Sequence, residues 1–343
     1  MDIQNHFYGH SAVLAGYAGL DRPRHFQGLL QHGWTPVTPI RTHFADLAGS
    51  APAGNLFTWT HDSRGWTEEQ SQQETGFSST PIGSPALYLA EMIERNGERP
   101  EPTLGTVVFP FHGTRLVAVE GDQAAYAREI FEKEGPSLVC MHADDLQRPD
   151  VVAAWKDAGH QLTTAGERRD PDFLAKVLWL IMNSRKVVSN RLATALVYAA
   201  AVGTPIEIYG PHFQIAGIQE ESSEEYLRKL WPEFYDPEVT PEALQALARA
   251  ELGAASMRSP EELRDVLGWN GRGFVAGFHY WLGAPLAKAA AILGLKKREV
   301  GPVVNAVKVS PWHFVFHPME HLPDRLPKKV STRLVQPPLD IQR

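Results

Sequence analysis

Between about residues 105 and 211 the chain alternates short β-branched runs with amphipathic helical runs, and this alternation constrains the fold more than any other feature. "GTVVFPFHGT" reads as a strand ending in a polar loop, "DQAAYAREIFEKEG" as an amphipathic helix, and "SLVCMHADD" as a second strand with a polar tip. "PDVVAAWKDAGHQLTTAG" continues as helix then strand, "DPDFLAKVLWLIMNSR" as a helix, and "KVVSN" as a strand. That strand runs into "SNRLATALVYAAAVGTPIEIYGP", an Ala-rich helix followed by a strand closed by Gly-Pro. Strands alternating with helices imply a parallel sheet with helices on both faces.

The first hundred residues follow a similar grammar, with apolar runs at 26–34 and 55–62 and then "TPIGSPALYLAEMIERNG" at 80–97, where Pro and Gly precede a helix. A stretch rich in Pro, Gly and charge, "GERPEPTLG" (97–105), separates the halves. With 343 residues the chain exceeds one ordinary core. The expected organisation is an N-terminal Rossmann-like domain over 1–100, a second over 103–235, and a mostly helical region over 236–343. In the last, "SPEELRDVLGW" carries a capping box, Ser259 with Glu262 three residues on.

The net charge of −7 creates no general field for a polyanion, so nucleic acid is not expected as a partner. Cys140 is the one cysteine and reads as a small buried hydrophobe in a reducing compartment. The N-terminal residues lack the basic stretch and apolar core of a signal peptide, so a cytoplasmic location is expected. The run 274–295 has membrane-like length but carries His279, Pro285 and Lys288, and is read as a buried or interface-lying helix rather than a span.

In an open parallel sheet, ligands sit at the carboxyl ends of strands, where helix N-termini point free N–H groups into the crevice. Polar clusters fall at such places: His112, Gly113 and Thr114; His142, Asp144 and Asp145; Thr164, Gly166, Arg168 and Asp170; Ser189 and Asn190. Taken singly, each Ser, Thr, Asn or Asp is an ordinary N-cap. Together they outline a site. A helix beginning at Ser189-Asn190, with Thr194 on its first turns, would offer N–H groups, dipole and hydroxyls to a phosphate, and its alanines would let it lie close to the sheet. Neither G-x-G-x-x-G nor a P-loop is present. A second set lies in the first half: His32 and Gly33, His61 and Asp62, and Gly83 with Ser84. His32, or failing it Asp62, is the candidate general base toward a hydroxyl. Trp34 and Trp59 equally suit an aromatic core with the histidines at its edge.

"GYAGL…GLLQHGW", "PIGSPALYL", "TVVFPFHGT", "LVCMHADDL", "LTTAGERRDPDFL" and "VVSNRLATALVYAAAVGTPIEIYGP" occur in the order and spacing of a group of bacterial polysaccharide-cluster proteins. Over about residues 9 to 270 the chain resembles, with that group, the GT-B glycosyltransferases. The resemblance implies two Rossmann-like domains facing a cleft, with a nucleotide sugar bound mainly by the second and a glycan or small metabolite as acceptor. It implies that Ser189, Asn190 and Thr194 hold the phosphate, with Gly166, Arg168 and Asp170 beside the nucleotide. His112, Gly113 and Thr114 would form the first donor-side loop, and His32 and Gly33 the acceptor-side loop. No cofactor or metal is implied, and Asp144-Asp145 is adjacent rather than spaced as a D-x-D metal site. The helices beyond residue 270 leave a homo-oligomer or a contact with the inner membrane face open. Three rival readings stand beside this one: a sugar-nucleotide epimerase of the same shape, a metallohydrolase drawing on the 14 histidines, and a non-catalytic binding subunit.

Overall fold

The computed structural model describes residues 2–44, 55–113, 119–215, 223–271, 277–283, 286 and 325–341. The chain opens with a 3-10 stretch, Asp2–Gly9, that leads into helix α1 (His10–Tyr17). Three parallel strands follow, β1 (Leu29–Leu30), β2 (Leu56–Thr58) and, after a ribbon of β3 (Asp62–Ser63) and β4 (Trp66–Thr67) and helix α2 (Glu68–Thr75), β5 (Thr80–Pro81). They form a sheet in the order β1-β2-β5, with Leu29 opposite Leu56 and Phe57 opposite Thr80. These strands are shorter than the apolar runs that contain them, because Gly28 and Gly33 bracket β1 and Pro81 ends β5. Helix α3 (Pro85–Arg95) starts where the sequence signals it, with Ser84 accepting from the Ala86 N–H and Pro85 in the first turn.

The second sheet is entirely parallel. It comprises β6 (Leu104–Val108), β8 (Leu138–Cys140), β9 (Gln161–Thr163), β10 (Ser184–Ser189) and β11 (Ile206–Ile208) in the order β11-β10-β6-β8-β9; a short pair, β7 (Val119–Glu120) with β12 (Gln214–Ile215), is antiparallel. Its crossovers are α4 (Gln123–Glu134), α5 (Pro149–Asp157), α6 (Phe173–Asn183) and α7 (Thr194–Ala201). Val107, Val108, Val187 and Val188 are fully buried, as expected for central strands covered on both faces.

Helix α7 does not begin at Ser189-Asn190. Ser189 is still paired with Ile208 in the ladder, and the helix starts at Thr194 with Ala193 as a cap that makes no side-chain bond. The Asn190 amide is committed elsewhere: Oδ1 accepts from the Phe111 N–H at 2.9 Å and Nδ2 donates to the Pro211 carbonyl at 3.0 Å. This fastens the loops after β6, β10 and β11 to one another.

Helices α8 (Glu224–Leu230), α9 (Pro241–Glu251) and α10 (Pro260–Val266) follow, and the Ser259/Glu262 capping box is formed. They pack into the main core: a continuous apolar cluster includes Val13 on α1, Tyr88 on α3, Leu178 on α6, Tyr198 on α7, Ala248 on α9 and Leu263 on α10. Residues 325–341 are not helical. Pro327, Pro337 and Pro338 withhold backbone donors that a helix would need. It runs back across the molecule, the Ser331 N–H donating to the Ala12 carbonyl, the Ile341 N–H to the Leu162 carbonyl and Thr163 Oγ1 to the Pro338 carbonyl. The tail thus covers β9, an edge of the larger sheet. Of the run 274–295, only 277–283 and 286 lie among the described residues, and there Phe278, Trp281, Leu282 and Leu286 are exposed. Among the described residues no helix is long and apolar enough to cross a membrane.

Candidate functional site

The carboxyl ends of both parallel sheets open onto one cavity of about 490 Å³, within the range of small-molecule sites. From the larger sheet, β6 delivers Phe109, Phe111 and His112, β8 delivers Met141 and His142, and β10 delivers Ser189 and Arg191. From the smaller sheet, β1 delivers His32, Gly33 and Trp34. Three more side chains reach the wall from elements that follow no strand end: Tyr8, His10 and His43.

The backbone around Tyr8 explains how the N-terminal residues get there. Tyr8 has φ 56, the one positive φ at a non-glycine among the described residues, and Gly9 follows with φ 73. A Cβ on Gly9 would lie 2.7 Å from the Pro171 carbonyl oxygen, so only glycine fits. The reversal docks the start of α1 against the loop after β9, where the Tyr8 N–H donates to the Arg168 carbonyl at 2.5 Å. A left-handed bulky residue costs about 1–3 kcal/mol. Here it places the Tyr8 ring 5.9 Å from His32 and 6.0 Å from His10.

The electrostatics are dominated by histidines kept neutral. His32 and His43 stack with ring centres 4.0 Å apart. Burial, reinforced by His32, pushes His10 down to about 3. Burial and the Arg168 charge push His32 down to about 4. His43 is held well below its usual range by burial and by both neighbours. Nδ1 of each of these three rings is buried without a hydrogen-bond partner. On the opposite wall His112 and His142 stack at 4.3 Å, nearly parallel. Burial and His112 push His142 down to about 4. Its Nδ1 accepts from the Asp144 N–H at 3.2 Å, so the neutral ring carries its proton on Nε2. His112 Nδ1 lies 2.9 Å from the Gly113 carbonyl, which fixes the opposite tautomer. Arg191 lies over the Phe111 ring at 4.9 Å, and its burial lowers its pKa. Among the described residues no Asp or Glu lines the cavity.

Of the residues read from the sequence, the structure brings His32, Gly33, His112, His142, Gly166, Ser189 and Thr194 to this wall. Thr194 Oγ1 accepts from the Trp34 N–H at 3.1 Å, stitching the two halves of the wall together. The others lie elsewhere. Asp62 sits exposed in the β3–β4 ribbon. His61 is engaged by Ser79 Oγ at 3.0 Å and by Glu68 at 3.4 Å. Ser84 is spent capping α3, and Gly83, with φ 75, packs against Met257 and Gly253. Thr164 Oγ1 accepts from the Gly166 N–H at 3.1 Å. Arg168 lies over the Phe7 ring at 4.5 Å, and Asp170 pairs with Lys176 at 2.6 Å. Gly113 stays off the wall, and Thr114 lies outside the described residues. Cys140 lines the cavity, but burial pushes its thiol up to about 12, so it is no nucleophile at neutral pH. Among the described residues no group of three or more His, Cys, Asp or Glu is arranged to hold a metal ion.

Sequence reading missed Tyr8, His10, His43 and Arg191. For His10 a signal existed, a Gly-His pair directly before an apolar helical run; for His43 there was none.

No protein-family model matches the chain, and no curated protein matches it. Among solved structures it is similar to a UDP-GlcNAc 2-epimerase from Neisseria meningitidis bound to UDP-GlcNAc, at 14% identity and a TM-score of 0.30, over 56% of this chain and 55% of that one. It is also similar to the wall teichoic acid polymerase TagF with CDPG, at 9% identity and a TM-score of 0.30, over 78% of this chain and 65% of that one. The chain thus spans between 55% and 65% of the length of these structures.

Proposed function

We propose that the chain is a glycosyltransferase that moves a sugar from a nucleotide-activated donor to a hydroxyl of a glycan or small-metabolite acceptor. The observation that carries this reading is the convergence of strand ends from two parallel sheets on one cavity of about 490 Å³, the place where an open α/β fold binds its ligand. The donor lies on the side of the larger sheet. Its phosphates meet the first turn of α7, which no side chain caps, and Arg191 in the same loop. Gly166, with φ 95, lets backbone approach the donor closely. As the bond from the anomeric carbon to the phosphate oxygen breaks, the electron pair leaves with the nucleotide, and these N–H groups and the guanidinium stabilise the charge that develops.

The acceptor lies on the side of β1. Its oxygen forms the new bond to the anomeric carbon while its proton passes to His32, which is neutral at pH 7 because burial and Arg168 hold it at about 4. A histidine that low is a weak base. The donor's negative charge raises it, so base strength rises when the donor is in place.

Thermal-shift measurements with UDP, GDP, CDP, TDP and CMP test the reading. A nucleotide at 100 times its Kd stabilises the fold by about 2.7 kcal/mol. One of them is expected to do so, and Arg191→Ala to abolish the effect. Absence of any response from folded protein refutes the proposal.

A further inference from the structure

We propose that the imidazole cluster of His10, His32 and His43 is a proton-coupled oxyanion site, and that the second substrate carries a phosphate group. The assignment to a second substrate rests on the reading above; the anion site does not. Two observations carry it. First, the described cavity wall holds five histidines and Arg191 and no carboxylate. A neutral sugar donates through its hydroxyl hydrogens, and the side chains that only accept are carboxylates. This wall offers none. Second, His10 is 2% exposed, lines the cavity and leaves Nδ1 without a partner, as do His32 and His43. Buried polar atoms are rarely left so, and three within one cluster call for a ligand that brings several polar atoms close together. A tetrahedral oxyanion does that.

Proton uptake follows from the tautomers and the charges around the cluster. The Gln31 carbonyl accepts from His10, so Nδ1 is the atom that takes up a proton. The groups facing the cluster are the Tyr8 hydroxyl, Arg168, and across the cavity His142 with His112. Asp144 is the carboxylate whose charge reaches this region, acting on Tyr8 and His142. With Arg168 and like neighbours around them, the imidazoles stay neutral until an anion arrives. One negative charge at about 4 Å, in surroundings of effective dielectric constant about 20, raises the pH at which a histidine protonates by about 3. That brings His10 from about 3 to about 6, and an anion seated against His10 and His43 leaves His32 its free nitrogen for the acceptor's proton.

The test uses the full chain with sulfate, whose charge is constant from pH 6 to 8, and then inorganic phosphate. Calorimetry in two buffers of different protonation enthalpy counts the protons taken up. The expected result is net proton uptake with sulfate at pH 6 and an affinity that falls as the pH rises toward 8. Sulfate should still bind with the stabilising nucleotide present, and His43→Asn should weaken sulfate at least tenfold. Should that variant fail to fold, proton counting on the unaltered chain still decides. No sulfate binding at pH 6, or binding without proton uptake, overturns the site. Displacement of sulfate by nucleotide overturns the second-substrate assignment and leaves the nucleotide reading standing. Proton-coupled sulfate binding with no nucleotide response supports the site and refutes that reading instead.

Discussion

Lowering the pH from 7 to 5 should cost the fold several kcal/mol through its buried histidines. In the unfolded chain each histidine titrates near 6.5, whereas folding holds His10 at about 3 and His32 and His142 at about 4. Between those values the unfolded state binds protons that the folded state refuses, so stability is complete above the unfolded value and falls as pH drops through it. For His10, the ratio of the two binding polynomials at pH 5 is worth about 2 kcal/mol. His32 and His142 line a cavity open to solvent, and screening reduces their shares to about 1 kcal/mol each. The sum, about 4 kcal/mol, is a large part of the 5–15 kcal/mol that holds a typical fold together. Carboxylates contribute little in this window because they titrate below it. Urea unfolding at pH 5, 6 and 7 measures the loss, and His10→Phe should remove about half of it. Equal stability at pH 5 and 7, or a pH slope unchanged in His10→Phe, refutes the argument that burial keeps these imidazoles neutral. Saturating sulfate should flatten the slope if the cluster takes an anion.

Three further perturbations separate the wall of the cavity from its surroundings. Glu251→Gln should destabilise by about 3 kcal/mol in urea unfolding and alter tryptophan fluorescence, since the buried carboxylate accepts from Trp34 Nε1, Trp231 Nε1, Ser63 Oγ and the Arg64 N–H. A glutamine would turn an amide donor toward those donors. Thr194→Val should cost about 1–2 kcal/mol by leaving the Trp34 N–H unpaired, read as a lower urea midpoint. Asp62→Asn should leave the thermal shift by nucleotide unchanged, because Asp62 lies outside the cavity wall.

What could be read from the sequence follows from which signals are local. The larger sheet was legible because each strand is a short apolar run and each crossover helix has its own period. Its polar tips were legible because a His or Ser after such a run lies at the carboxyl edge. The start of α7 was misread for a physical reason: Ser189 and Asn190 have the chemistry of caps, but the ladder with β11 holds Ser189, and Asn190 serves two loops. The true cap, Ala193, carries no signal. His43 had no signal and His10 only a Gly-His pair ahead of an apolar run, because neither follows a strand, and their place is set by the Tyr8-Gly9 reversal and by packing. The tail could have been read as non-helical from its prolines, but its docking on β9 is a long-range contact.

Glu251 shows the same limit from the other side. As the last residue of an amphipathic helix it reads as an ordinary solvated charge, yet it is 3% exposed. Two tryptophan N–H groups, a hydroxyl and a backbone amide converge on it, and they come from the loop after β1, the ribbon and the end of α8. Because Trp34 is part of the cavity wall, the carboxylate couples the position of the His32–Trp34 loop to α9. Such a hub stabilises the fold only while all its donors are present, since removing a partner leaves buried charge uncompensated. The shape of the cavity thus depends on a residue some 220 positions from the loop it holds, and no pattern local to either stretch encodes that pairing.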